Sequence, residues 1–458
     1  MATACVILAA GMGKRMRSKR VKVLHELCGA PMIDYPVSLA LQRRCRPVVV
    51  VVGSQRELVE QHLRARFGKR VRIAVQDPPL GTGHAVLCAR RALGSQRGKL
   101  LILYGDVPLL TGKELGALAR ASRKAELAFL TCRLDDPTDY GRVIRDGQGE
   151  VVSIVEQRDA SRAERRIREV NSGIYLVDAA FAFRSLARLG RGNAQGEYYL
   201  TDLVAAARGR GLRVEGVEVP PDSVLGVNDR RELARVGKEI NRRLLDRLMA
   251  SGVSVLDPDS TFAGAEVRIG TDSLLLPGCV LRGQVRIGRG CTIGPGAVIE
   301  DARIGDGAEV RAYSVLEGCR VGAGATVGPF ARLRPGTVLE DQVRVGNFVE
   351  CKKAHLGRGT KAGHLSYLGD AEIGRQVNVG AGTITCNYDG EHKHTTRIDD
   401  GAFIGSDTQL VAPVRVGRGA YVGAGTTVTR DVPAEALAVS RARQRNVEGY
   451  ARRKARKA

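Results

Sequence analysis

From about residue 265 the aliphatic residues fall on a six-residue spacing. Ile269, Leu275, Leu281, Ile287, Ile293 and Ile299 follow it without exception. After one five-residue step come Ile304, Val310 and Leu316, and after another Val321, Val327, Leu333, Leu339 and Val345. The spacing returns as Ile398, Ile404, Leu410, Val416, Val422 and Val428. Six is not a helical period, and it is too long for simple strand alternation. It fits a short strand and a sharp turn, repeated, with the aliphatic pointing inward onto its neighbours in adjacent coils. Glycine follows many of these aliphatics and allows the backbone angles of the turn. Three such units make a triangular coil of about 18 residues, so this half predicts a parallel β-helix of roughly nine coils. So long a run in register disfavours a β-sandwich.

The first 225 or so residues follow another pattern. Apolar strands (Ala4 to Ala10, Val48 to Val52, Leu100 to Tyr104, Leu127 to Arg133) alternate with helix-like stretches. That predicts βαβ units and a mostly parallel sheet. Between the halves, Leu233, Val236, Ile240, Leu244, Leu245 and Leu248 give 229–250 a helical period, flanked by Asn228 and by Ser251-Gly252. The expected organisation is an N-terminal α/β domain over 1–228, a helical linker over 229–250 and a β-helix domain over 251–458.

Composition narrows the class. Glycine is abundant (56 of 458 residues), aromatics are 4% and tryptophan is absent, which disfavours a helix bundle. No apolar run approaches the roughly 18 to 20 residues of a membrane span. The apolar start has no basic segment before it and runs into Gly11, so it reads as a strand and not as a signal peptide. Ten cysteines show no C-x-x-C pair, which predicts free thiols in a reducing cytosol and a cytoplasmic protein. The net charge is +23, and the segment 441–458 holds eight Lys or Arg against one Glu. With no helix-turn-helix, zinc spacing or aromatic-interleaved basic stripe, a nucleic-acid partner is not expected. Binding of phosphorylated small molecules explains the charge more simply.

Candidate chemistry begins after the first strand, at Leu8-Ala9-Ala10-Gly11-Met12-Gly13-Lys14-Arg15-Met16. Glycine lets backbone N–H groups approach phosphates, and cations there neutralise them. Lys22 lies on the same connection. Tyr104-Gly105-Asp106 puts a carboxylate at the C-terminal edge of a predicted central strand, where open α/β sheets bind ligands. A carboxylate beside a phosphate site suits Mg²⁺. Gln76 with Pro79-Leu80-Gly81-Thr82-Gly83 supplies groups suited to a base, and Asn171 and Asn228 each offer an amide oxygen in a loop. In the second half the six-residue register breaks between Val345 and Ile398, and this break concentrates Asn, Glu, Lys, His and Tyr. His364 there is the natural base near neutral pH.

These motifs carry a resemblance. L-A-A-G-x-G-x-R-M, the later lysine, Q-x-P-x-G-T-G-H-A, Y-G-D-x-P-L, I-V-E-x-x-D-A, N-x-G-I and G-V-N occur in the order seen in sugar-1-phosphate nucleotidyltransferases. Joined to the hexapeptide repeat, nearly the whole chain resembles a bifunctional bacterial family. That family joins N-acetylglucosamine-1-phosphate uridylyltransferase to glucosamine-1-phosphate N-acetyltransferase and makes UDP-N-acetylglucosamine for cell-wall precursors. The resemblance implies a Rossmann-like α/β nucleotidyltransferase domain and a left-handed β-helix. It implies that Leu8, Ala9, Ala10, Gly11, Gln76, Gly81 and Thr82 hold the uridine part. Arg15 and Lys22 would face the phosphates as catalytic groups. Tyr104, Gly105, Asp106, Gly141, Glu156, Asn171 and Asn228 would complete the UDP-sugar site, with Asp106 and Asn228 binding Mg²⁺.

In the second half the resemblance makes His364 the general base, with Glu350 orienting the site. It places Arg334, Lys352, Tyr367 and Asn378 on the sugar phosphate. Ala381, Asn387, Tyr388, Ser406, Ala424 and Arg441 would lie on acetyl-CoA. The implied partners are UTP, N-acetylglucosamine 1-phosphate, glucosamine 1-phosphate, acetyl-CoA and two further copies of the chain in a homotrimer. Two positions depart from the family pattern. Val21 replaces the usual proline before Lys22, which predicts a looser loop, and Lys14 replaces a common threonine, which adds charge at the phosphates. The alternative reading is a single-activity nucleotidyltransferase whose β-helix is a scaffold.

Overall fold

The computed structural model describes all residues except 1–2, 12, 54–55, 95–97, 441–442 and 456–458. It divides into two compact units, Met1–Ile240 and Asn241–Ala458. Of the site residues expected from sequence, Arg441 lies outside the described residues, as do Met12 and the side chain of Lys14.

In the first unit a nine-stranded sheet runs in the order Val214–Glu218, Leu127–Arg133, Glu169–Asp178, Lys99–Tyr104, Thr3–Ala9, Val48–Val52, Val71–Val75, with the hairpin Arg142–Arg145 and Val151–Val155 joined at one side. Glu169–Asp178 runs antiparallel to both its neighbours in this row, and the other pairings of the row are parallel. The strand Thr3–Ala9 is buried on both faces. Cys5, Ile7 and Ala9 join one core while Ala4, Val6 and Leu8 join the other. A strand covered on both sides must be apolar throughout, which is why it reads as an unbroken apolar run. Later strands were added on either side of it, on Val48–Val52 and on Lys99–Tyr104. That reversal opens a crevice at the C-terminal strand ends, where Leu8 to Gly11 and Tyr104 to Asp106 emerge.

The second unit is a three-sided parallel β-helix with faces of eleven, ten and nine short strands. The aliphatics of the six-residue pattern point inward and form one continuous core, with Ile269 partly buried at its start. One expectation is corrected. The register continues past Val345 to Thr385, because Cys351, Leu356, Ala362, Leu368, Ile373, Val379 and Thr385 occupy the inward positions and are buried, and it breaks only between Thr385 and Ile398. The period is hidden in the sequence because small or polar residues take some inward places. Thr385 is accommodated by hydrogen bonds to its neighbouring coil, accepting from Gly369 N (2.7 Å) and donating to Gly369 O (3.0 Å). The excess chain is confined to one projecting loop between the strands Ile384–Cys386 and Thr396–Ile398.

The helix Arg230–Ala250 runs through the division between the units. Asp229 caps its start, accepting from Arg231 N (2.8 Å) and Glu232 N (2.9 Å). In the second unit, buried Asn241 donates to Thr261 O (2.8 Å) and accepts from Ala263 N (2.9 Å), which ties the helix to the first coil. No helix among the described residues is long and apolar enough to cross a membrane. All ten cysteines are free.

Candidate active sites

The crevice of the first unit holds a cavity of about 330 Å³. Of the expected site residues, Arg15, Thr82, Tyr104, Asp106, Gly141, Glu156, Asn171 and Asn228 line it. At one end Lys22 donates to Asp106 Oδ2, and its ammonium lies 3.2 Å from Asn228 Oδ1. The three residues come from far apart in the chain. Asp106 is held there because its carbonyl accepts from Val227 N (2.9 Å), which locks the Asn228 loop against the strand edge. A carboxylate and an amide oxygen converging on one cation form a hard oxygen donor pair. The Lys22 ammonium marks the place between them, and a hard divalent cation bound by these two protein oxygens plus phosphates and water fits that set.

Val21, just before Lys22, adopts φ −56°, within the range a proline would impose, and is buried in the core. Arg15 reaches Asp139 (3.3 Å) across the exposed mouth of the cavity.

The other end is built by a strand irregularity. Glu169–Asp178 shifts register against Leu127–Arg133 between Asn171 and Tyr175. Such a bulge re-aims side chains, and Asn171 lines the cavity while its Oδ1 accepts from Gly173 N (3.0 Å). Gly173 has φ +82°, and a Cβ there would lie 2.6 Å from the Tyr104 ring. Gly173→Ala should therefore displace Tyr104 and the bulge, and cost the uridylyl transfer that the resemblance implies roughly 10²-fold. Pyrophosphate release measures this, and an unchanged rate would show that the bulge does not position the sugar.

Glu156 is raised above the usual carboxylate range, chiefly by burial and also by the nearby Asp159, Asp202 and Glu197 charges. Thr201 Oγ1 donates to its Oε1 (3.1 Å). Burial, with Glu156 and Asp106 close by, pushes the Tyr104 phenol up as well. Gln76 and Thr82 are committed to loop contacts in this structure. Gln76 Nε2 donates to Gly81 O (2.8 Å), and Thr82 Oγ1 accepts from Leu200 N (3.1 Å). Leu8 O accepts from Gly105 N (2.8 Å), while Ala10 is half-buried and Gly11 is exposed at the crevice. Sequence reasoning did not select Thr201, Tyr140 or Glu232, which also line the cavity. Only their spatial convergence distinguishes them.

In the second unit the expected acetyl-transfer residues fall on two faces. Arg334, Glu350, Lys352 and Tyr367 lie on or just after strands of the ten-stranded face, where Arg334 Nη1 donates to Glu350 Oε1 (2.8 Å). Lys352 is lowered below the usual lysine range by Lys393, through a hydrogen bond and like charge, and then by Arg334. Clustered cations of this kind are stabilised by an anion. His364 and Asn378 lie on the eleven-stranded face. His364 is exposed, and its Nδ1 lies 2.6 Å from Asn347 Oδ1. An amide oxygen only accepts, so with Asn347 Oδ1 toward the ring Nδ1 is the donor, and in a neutral imidazole Nε2 is then the accepting atom. Asn347 was missed as a site residue. It sits one coil earlier, in register with His364, so the coil period was the signal that could have found it.

Asn387 donates to Asp370 and is buried, while Tyr388 is exposed on the projecting loop. Ala381, Ser406 and Ala424 occupy equivalent corners of successive coils, each following a glycine at a strand end. The ladder shows this stacking, for Asp407 N donates to Ala381 O (2.7 Å) and Gly425 N to Ser406 O (2.8 Å). Ser406, Ala424 and Tyr388 are exposed, Ala381 is half-buried and Asn387 is buried.

The chain matches the nucleotidyl transferase family model over residues 4–213, a model named GMPPB C-terminal domain over 263–356 and the bacterial transferase hexapeptide model over 395–430. It is 51% identical over 450 residues to the bifunctional protein GlmU of Pelobacter propionicus, covering 98% of this chain and 97% of that one. It is 52% identical over 455 residues to the bifunctional protein GlmU of an Anaeromyxobacter species, covering 99% and 93%. With that of Trichlorobacter lovleyi the identity is 50% over 455 residues, covering 99% and 98%. Half-identity across both units, together with the α/β crevice and the left-handed β-helix of hexapeptide coils, places this chain in the bifunctional GlmU family.

Proposed function

We propose that the chain makes UDP-N-acetylglucosamine in two steps, one in each unit. In the second unit the amine of glucosamine 1-phosphate attacks the thioester of acetyl-CoA, forming the amide and releasing coenzyme A. In the first, a phosphate oxygen of N-acetylglucosamine 1-phosphate attacks the α-phosphorus of UTP in line and expels pyrophosphate. The observation that carries this reading is the presence of two separate constellations in one family member: Lys22 with Asp106 and Asn228, and His364 with Asn347.

For uridylyl transfer the chain's work is placement and charge neutralisation. A phosphate monoester dianion needs no deprotonation to attack, so no base is required. Arg15 and Lys22 offset phosphate charge. Asp106 and Asn228 would hold Mg²⁺, which when bound supplies further charge neutralisation at the phosphates. Gly141, Glu156 and Asn171 hold the sugar. The backbone from Leu8 to Gly11, with Gln76, Gly81 and Thr82, surrounds the uridine, for which Gln76 must exchange its contact with Gly81.

For acetyl transfer, His364 Nε2 takes the proton from the attacking amine. Arg334, Lys352, Tyr367 and Asn378 hold the sugar phosphate. Asn387 and the Tyr388 backbone stabilise the oxyanion, and the Ala381, Ser406 and Ala424 column, with Arg441, carries acetyl-CoA. The distribution of these residues over two faces supports a trimer with this site between subunits. Sedimentation of the full chain should give a trimer, and an active monomer would overturn the shared site. Ten free thiols fit a cytosolic enzyme.

A single activity with a scaffold β-helix is disfavoured by the oriented His364 imidazole. One incubation separates the readings. With glucosamine 1-phosphate, acetyl-CoA, UTP and Mg²⁺, free thiol and pyrophosphate should both appear. Pyrophosphate formed only when N-acetylglucosamine 1-phosphate is supplied, with no thiol released, would leave the scaffold reading.

A further inference from the structure

On the nine-stranded face of the β-helix, the first four strands each present an arginine outward: Arg268, Arg286, Arg303 and Arg320. They are direct partners in a parallel ladder, so their backbones stack about 4.8 Å apart. Like charges directly opposite one another are destabilising. On the ten-stranded face the chain relieves this by pairing, as in Arg282 with Glu300 (3.6 Å) and Arg332 with Glu317 (3.7 Å). Here it does not. Arg268 donates only to the carbonyls of Ala265 (3.1 Å) and Val267 (2.8 Å). Arg286, Arg303 and Arg320 have no side-chain hydrogen bond or ion pair among the described residues, and all three are exposed.

These three arginines, with Arg358, line a groove of about 600 Å³. Its floor includes Gly305 and Gly322. A Cβ would lie 2.7 Å from Ala323 N at the first and 2.4 Å from the Glu340 carbonyl carbon at the second. Coil stacking therefore keeps the floor free of side chains and leaves the guanidinium row open from the side. The acidic groups of the groove, Glu340 and Asp341, stand at one end and are already engaged. Glu340 meets the His355 ring (3.1 Å) and accepts from Arg358 N (2.9 Å), and Asp341 accepts from Ala323 N (2.8 Å). No aromatic ring lines the groove.

We propose that this groove binds a linear phosphate chain of the inorganic polyphosphate type, lying along the coil-stacking direction with its oxygens on the arginine row. Guanidinium groups match phosphate oxygens with paired N–H donors. A row of them at strand spacing, without alternating acids, fits a ligand whose negative charge repeats along a line. A single-stranded nucleic acid would need stacking surfaces for its bases, and the groove has none. The site is separate from the acetyl-transfer groups, which lie on the other two faces.

The test uses the full-length protein and three probes at physiological salt: medium-chain inorganic polyphosphate, orthophosphate and an oligoadenylate RNA. Arg286→Gln, Arg303→Gln and Arg320→Gln combined should weaken polyphosphate binding about 10²-fold, since each removes a charged hydrogen-bond donor. A charge-matched control, Arg123→Gln with Arg162→Gln and Arg188→Gln, should bind as the parent does. Both variants should keep acetyl and uridylyl transfer, which reports that they are folded. Orthophosphate should compete weakly. Unchanged polyphosphate binding in the face variant, or equal loss in the control, overturns the proposal. Tighter RNA binding lost in the same variant would assign the groove to nucleic acid instead. An altered oligomeric state in sedimentation would make the face a subunit contact.

Discussion

Replacing His364 by alanine should lower acetyl transfer by roughly 10² to 10⁴, the usual contribution of a general base, while uridylyl transfer stays near normal. The expectation rests on its geometry. Nδ1 of the exposed His364 lies 2.6 Å from Asn347 Oδ1, a contact in which Nδ1 donates and leaves Nε2 as the atom to accept. A glucosamine amine must lose a proton as it becomes an amide. An imidazole with a free ring nitrogen can accept that proton. Asn347→Ala should give a smaller loss, because the ring remains but its tautomer and orientation are no longer fixed. Full acetyl transfer in His364→Ala would make His364 structural and place the base elsewhere.

Asp106→Ala should abolish uridylyl transfer, by at least roughly 10² to 10³ if charge stabilisation at the phosphates is its work. Asp106 holds the Lys22 ammonium, and with Asn228 it forms the oxygen pair proposed for the metal. Lys22 is largely shielded from water, so removing the carboxylate also leaves a cation without its ion-pair partner. Asp106→Asn separates the effects. It keeps an oxygen near Lys22 and preserves the loop, yet it lacks the charge that Mg²⁺ favours. Acetyl transfer should persist in both variants, since its residues belong to the other unit. A normal rate of UDP-N-acetylglucosamine formation in Asp106→Asn would show that the carboxylate charge is not needed.

The two architectures were legible in the sequence for one reason: each repeats a burial demand along the chain. A coil must put one apolar side chain inside on each face, and Ile287, Ile304 and Val321 do so in register. A strand covered on both faces must be apolar throughout, as Val48–Val52 is. The ordered motifs likewise named part of the cavity's lining, Arg15, Thr82, Tyr104, Asp106, Glu156, Asn171 and Asn228 among it, because loops at strand ends carry ligand groups whatever the helices between them contain.

What only the tertiary structure decided are matters of register and reach. The coils run unbroken past His364 because Ala362 and Thr385 fit inward places that an aliphatic pattern does not reveal. Asn347 meets His364 because parallel strands bring residues one coil apart together. Asn171 enters the cavity through a bulge whose backbone Gly173 makes possible. Lys22 meets Asp106 and Asn228 across most of the first unit's length, a convergence set by strand order and not by spacing. The arginine row carries the same lesson. Along the chain its members are ordinary scattered charges. They become a line of unpaired cations because parallel stacking places every coil's outward residue above the one before.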